Sequence, residues 1–107
     1  MSDFTLTDLE RIISERADVD DGSSYTHTLL NRGIAKCSQK LGEEAVECVI
    51  AAMQDDSAEL KNEAADLLYH LLVVLKARNI SVADIYSVLA QRTGQSGLDE
   101  KASRKDC

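Results

Sequence analysis

Apolar residues recur at helical spacing, three or four apart, along most of the chain. Leu6, Leu9, Ile12 and Ile13 form one such series and predict a first helix over about 5–17, with Thr7 and Glu10 spaced as a capping box. The run DVDDGSS, residues 18–24, has the composition of a loop. Ser24 is placed to cap a short helix that ends near Gly33. A long helix follows over roughly 34–54, and the acidic turn QDDS precedes another over roughly 58–78. Ser81 and Asp84 open a last helix with a capping-box pair, and that helix stops before Gly94. From Gly94 the tail GQSGLDEKASRKDC is polar, carries two glycines and has no hydrophobic period. The pattern therefore predicts an all-α fold: one domain over 1–107, about five helices, two of them long and central. Short connections make neighbouring helices antiparallel.

Composition narrows this picture. The chain has 107 residues, no Trp and no Pro, and Leu, Ile, Val and Ala carry the apolar content. That suits packed helices better than a sheet sandwich. A chain of this size buries a modest core, and such chains often complete it by oligomerising. The net charge of −7 argues against binding a nucleic-acid polymer, which needs clustered positive charge; divalent cations are compatible with it. Cys37, Cys48 and Cys107 show neither CxxC nor metal spacing and read as free thiols of a reducing cytosol. The start MSDFTLTDLE is acidic and polar, unlike a signal peptide. No apolar run reaches bilayer-spanning length, so no membrane association is expected.

Where the charges fall on the two long helices changes the picture again. At 100° per residue, Leu41, Ala45, Cys48, Val49 and Ala52 share one face of the first, and Val46, Ile50 and Met53 another. Lys36, Lys40, Glu43, Glu44, Glu47 and Gln54 fill the remaining stripe. On the second, Glu59, Glu63, Asp66 and His70 form a narrow stripe on a helix otherwise apolar nearly all round, the pattern of a buried helix. A charged stripe is ordinarily a solvated face. A solvated stripe, however, mixes signs for the small gain of i,i+4 pairs, whereas this second stripe holds only acids and one histidine. Both helices also carry the same device, Glu44-x-x-Glu47 and Glu63-x-x-Asp66, with carboxylates projecting the same way. Folding one helix antiparallel on the other lets four carboxylates converge. Their repulsion in a partly dry cleft reaches several kcal/mol, comparable with the whole stability of a small domain, on the order of 5–10 kcal/mol. A cation resolves it. An all-oxygen set suits Mg²⁺, with Mn²⁺ as a substitute. Zinc prefers Cys or His, and a di-iron bundle needs Glu-x-x-His on two helices, which His70 does not supply.

These residues resemble a known signature. Glu43-Glu44-x-x-Glu47 followed by Glu63-x-x-Asp66 is similar to the MazG-like, all-α nucleotide pyrophosphohydrolase superfamily. The stretches SYTHTLL with Gly33, KCSQKLGEEAVECVIAA and RTGQSGLDEKASR together resemble the phosphoribosyl-ATP pyrophosphatase family of histidine biosynthesis, from about Thr5 to Arg104. The resemblance implies an all-α homodimer that hydrolyses phosphoribosyl-ATP to phosphoribosyl-AMP and pyrophosphate with Mg²⁺ in the cytoplasm. It also implies the stand-alone form, since the chain has no room for the cyclohydrolase to which some members are fused.

Carried over by position, Glu44, Glu47, Glu63 and Asp66 become metal ligands, and Glu43, Glu44 and Glu47 the catalytic acids. Glu43 either orients or deprotonates the attacking water, or supports the ligands beside it. Lys36 and Lys40 either contact phosphate or pair along the helix, Lys40 with Glu44. Ser24, Tyr25 and Thr26 either touch substrate or cap their helix. His70 is either a partner of Asp66 or a satisfied core histidine. Gly42, inside a helix, suggests close approach by a ligand or another helix. Lys101 and Arg104, with Arg92, suit recognition of the substrate's ribose phosphate. Two rival readings are a house-cleaning nucleoside-triphosphate pyrophosphatase, which shares the metal site but not the SYT and SGLDEKASR stretches, and a non-enzymatic helical dimerisation module, which needs no aligned acids.

Overall fold

A computed structural model describes residues 3–94. Its elements are α1 (Leu6–Ala17), α2 (Tyr25–Asn31), α3 (Ile34–Met53), α4 (Ser57–Ala77) and α5 (Val82–Thr93), so the fold is an all-α bundle. Lys101, Arg104 and Cys107 lie outside the described residues.

The helix starts follow local chemistry. Ser24 caps α2, Asp56 caps α4, and Ser81 with Asp84 forms a capping box on α5. The first helix differs from expectation. Its capping box is Thr5 with Asp8, not Thr7 with Glu10. Thr5 Oγ1 accepts from the Asp8 amide at 3.1 Å, and Asp8 Oδ2 accepts from the Thr5 amide at 2.9 Å. The reason is Leu6, which packs on the core; a helix capped at Thr7 would leave it outside the first turn. Glu10 is thereby freed for a long-range contact. Its Oε2 accepts from the Val82 amide at 2.7 Å, tying α1 to the first turn of α5.

Two turns use left-handed backbone. Gly33, at φ +93°, separates α2 from α3, and Asp55, at φ +58°, lies in the three-residue turn between α3 and α4. That short turn makes α3 and α4 an antiparallel hairpin, the most extensive helix pairing in the fold. Helix α1 packs across α2, α4 and α5. The core between them consists of Ile13, Leu29, Cys37, Leu72, Val73 and Val82. Cys37 donates its thiol hydrogen to the Leu29 carbonyl at 3.3 Å, and burial raises its pKa. Among the described residues, Cys37 and Cys48 are both free thiols.

Within one chain, α3 does not bury all of its apolar surface. Its inward positions are Cys37, Lys40, Leu41, Glu44, Ala45, Cys48 and Ala51. This face is turned toward the carboxylate stripe, which carries Glu44 half inward. Val49 and Ala52, which the helical spacing places on one face with Leu41, Ala45 and Cys48, are exposed. Val46 and Val49 are each 58% exposed, Ile50 44% and Met53 82%. Gly42 shares this outer stripe, and no described residue comes within 4 Å of a methyl placed on it. No helix among the described residues is long and apolar enough to cross a membrane.

Candidate metal centre and active site

The α3–α4 hairpin brings carboxylates together. Asp56 accepts from the Glu59 amide at 3.0 Å and so fixes the first turn of α4. Glu63 follows one turn on, then Asp66, then His70. From α3, Glu44 faces this row. One carboxylate oxygen each from Glu44, Glu63 and Asp66 lies within 4.8 Å of the other two. Glu44 and Glu63 are half-buried, and Asp66 is exposed. Glu47 is exposed and stands outside this group of three, but its charge reaches Glu63.

The cluster carries an electrostatic cost. The Glu63 pKa is raised, first by partial burial, then by a hydrogen bond with the Glu59 carboxyl, then by the charges of Glu44, Glu59 and Glu47. Carboxylates crowded in this way take up either a proton or a metal ion. The donors are all hard oxygens, with no thiolate or imidazole in the set. They fit Mg²⁺ or Mn²⁺ and fit zinc poorly.

Beside the cluster, Glu43 is held from two sides. Gln39 Nε2 donates to its Oε2 at 2.8 Å, and Lys40 Nζ donates to its Oε1 at 3.1 Å. The Gln39 hydrogen bond, then that from Lys40 and the lysine charge, lower the Glu43 pKa. Lys40 thus pairs with Glu43 rather than with Glu44, and the Glu43 hydrogen bond raises its pKa in turn. Lys36 lies on the same flank, partly buried, and its charge also favours ionised Glu43.

The SYT stretch divides. Ser24 is 6% exposed; its hydroxyl accepts from the His27 amide at 3.0 Å and donates to the Arg16 carbonyl at 2.7 Å. Thr26 is 3% exposed and its hydroxyl lies 2.6 Å from that of Tyr69. Both are thus engaged inside the protein. Tyr25 alone is open, 54% exposed. His70 is 6% exposed, and its Nδ1 is buried without a hydrogen-bond partner among the described residues. Burial lowers its pKa, against the opposing charges of Glu44, Asp66 and Glu43. The sequence pattern missed the contacts of Tyr69, which bridges α2 to α4; a residue at an ordinary core position gives no sign of a partner so far away in the chain.

Comparison with known proteins now decides the family. A family model described as phosphoribosyl-ATP pyrophosphohydrolase matches residues 6–93, a span that takes in every helix. The chain belongs to the phosphoribosyl-ATP pyrophosphohydrolase family. Among its relatives, the phosphoribosyl-ATP pyrophosphatase of Azorhizobium caulinodans is 55% identical over 101 residues, covering 94% of this chain and 93% of that protein. The phosphoribosyl-ATP pyrophosphatase of Agrobacterium fabrum is 56% identical over 104 residues, 97% of each. Phosphoribosyl-ATP pyrophosphatase 1 of Bradyrhizobium diazoefficiens is 52% identical over 106 residues, covering 99% of this chain and all of that protein. The carboxylates of α3 and α4 lie inside all that this family match spans.

Proposed function

We infer that the protein hydrolyses phosphoribosyl-ATP to phosphoribosyl-AMP and pyrophosphate, a step of histidine biosynthesis, in the cytoplasm and with Mg²⁺. The observation that carries this reading is the convergence of Glu44, Glu63 and Asp66 in a chain of this family. A helical dimerisation module has no use for such a cluster.

Glu44, Glu63 and Asp66 would hold the cation, with Glu47 as the fourth carboxylate. When bound, a divalent cation there offsets the charge of the phosphate chain and makes nearby water more acidic. The protein's own groups supply orientation. Glu43, fixed by Gln39 and Lys40 and kept ionised, is suited to hold the attacking water and take its proton. Its depressed pKa makes it a weak base, so positioning is its larger contribution. Lys36 and Lys40, on the same flank, are available to phosphate oxygens. Lys101 and Arg104 are assigned, on charge and chemistry alone, to the terminal phosphate on the second ribose.

A second copy of the chain is the proposed partner. The stripe Gly42, Val46, Val49 and Met53, with Ile50 at its edge, is exposed in one chain and lies roughly opposite the α4-facing side of α3. Burying such a stripe against its symmetry mate is the common way a small helical chain completes its core.

Mass-spectrometric identification of the products tests the activity. The enzyme should convert phosphoribosyl-ATP to phosphoribosyl-AMP and pyrophosphate and leave ordinary nucleoside triphosphates nearly untouched. Comparable turnover of dATP or ITP would instead support the house-cleaning activity.

A further inference from the structure

Three rings meet close to the carboxylates, where His70 follows Asp66 by one turn of α4. Tyr25 and Tyr69 are stacked, with centroids 6.4 Å apart and planes 19° from parallel. His70 meets Tyr69 edge-on at 5.0 Å and 82°, and Tyr25 at 6.3 Å and 89°. The wall is anchored from beneath. The Thr26 and Tyr69 hydroxyls are bonded at 2.6 Å, and Thr26 and His70 are both buried. Tyr25 is the first residue of α2, directly after the Ser24 cap, so its backbone is fixed as well.

Against this support, the 54% exposure of Tyr25 is an unused surface. A tyrosine has few torsions, and one packed against a second ring presents a rigid flat face at little entropic cost. The face lies beside the reacting groups: His70 follows Asp66 by one turn of α4, and Tyr25 packs edge-on against His70. A ring face offers phosphate nothing, being the electron-rich side of the quadrupole. The flat unit of the substrate is its purine.

We propose that the open face of Tyr25, backed by Tyr69 and edged by His70, is the platform on which the purine base of the nucleotide stacks while its phosphates lie over the α3–α4 carboxylates. This rests on the hydrolysis of phosphoribosyl-ATP for the identity of the substrate, but not for the existence of the platform. Stacking on an aromatic side chain recognises any base by its π-face, so the platform supplies affinity and orientation, while selectivity lies elsewhere.

Calorimetric titration tests it without turnover, with AMP as the base-bearing probe and Mg²⁺-tripolyphosphate as the base-free one. Tyr25→Ala should weaken AMP binding by about tenfold, the scale of one lost stack, and leave tripolyphosphate binding unchanged. Tyr25→Phe should bind both as wild type does. In kinetics, Tyr25→Ala should raise KM for phosphoribosyl-ATP by a similar factor and change kcat little. The chain has no Trp, so Tyr25→Trp puts a single tryptophan on the platform, excited selectively at the red edge, and AMP should quench it. This variant keeps the proposal testable even if Tyr25→Ala fails to fold. Unchanged AMP affinity in Tyr25→Ala, equal loss of both probes, or no quenching in Tyr25→Trp would overturn the proposal. Tyr25-dependent AMP binding in a protein that does not hydrolyse phosphoribosyl-ATP would uphold the platform and refute the substrate.

Discussion

Glu44 of α3 and Glu63 of α4 present carboxylate oxygens within 4.8 Å of each other, and the charge of Glu44 is one of those that raise the Glu63 pKa. Glu59, on the same helix as Glu63, adds to that shift, but the approach of Glu44 needs both helices. That approach exists because a three-residue turn folds α4 back along α3, and because the inward face of α3 includes Glu44.

The crowding makes metal-free stability depend on pH. The ordinary Glu63 pKa is 4.5, and the folded value is higher. Ionised Glu63 therefore destabilises the fold at neutral pH. That cost fades as pH falls through the raised pKa and is gone below 4.5, where the carboxyl is protonated in both states. In EDTA, Glu63→Gln should melt above wild type at pH 7, and the difference should shrink toward pH 4.5. Added Mg²⁺ should raise the wild-type Tm more than that of the variant, since only ligand bound to the native state stabilises it. Thermal denaturation followed by circular dichroism reads all three effects.

The exposed stripe of α3 predicts a concentration-dependent assembly. Wild type should have a dimeric mass by light scattering at micromolar concentration, and Val49→Asp should shift it to monomer or unfold it, because a charge in an apolar interface has no partner. A monomeric, fully helical wild type contradicts the proposed partner.

Glu10 is a purely structural test. Its carboxylate receives the Val82 amide at 2.7 Å at the start of α5. Glu10→Ala removes a charge-assisted bond and leaves that donor unmatched, at a cost of about 1.5–3 kcal/mol. Urea denaturation should show the loss while kcat stays at the wild-type value, since Glu10 has no assigned role in the reaction.

Much of this arrangement was legible in the sequence. Helical periodicity gave five helices, and cap chemistry fixed most of their starts; the Thr5 cap was misplaced because Thr7 offers the same spacing, and only the packing of Leu6 separates them. The i,i+3 carboxylates pointed to the α3–α4 site because their spacing is local. Long-range contacts left no such mark. Thr26 with Tyr69, Glu10 with Val82, and the packing of Tyr25 on Tyr69 and His70 join residues far apart in the chain. The inward face of α3 also escaped hydropathy: Glu44 is half-buried at the cluster, while Val46, Val49, Ile50 and Met53 stay outside.

The tail carries a prediction from charge alone. Changing Lys101 and Arg104 together to Ala should raise KM for phosphoribosyl-ATP by about tenfold or more, the effect of losing charge-assisted contacts to one phosphate. AMP and Mg²⁺ affinity should be unaffected. Steady-state kinetics beside calorimetry distinguish this from a general loss of binding.

The most direct test of the site is pyrophosphate release from phosphoribosyl-ATP, measured against Mg²⁺ concentration for wild type and Asp66→Asn side by side. Wild type should have no turnover in EDTA and rise to saturation with Mg²⁺. Asp66→Asn should need more Mg²⁺ and plateau about a hundredfold lower, as expected when a ligand to the metal is lost. Wild-type turnover in EDTA, or a near-normal plateau in Asp66→Asn, would contradict a metal-dependent reaction at Glu44, Glu63 and Asp66.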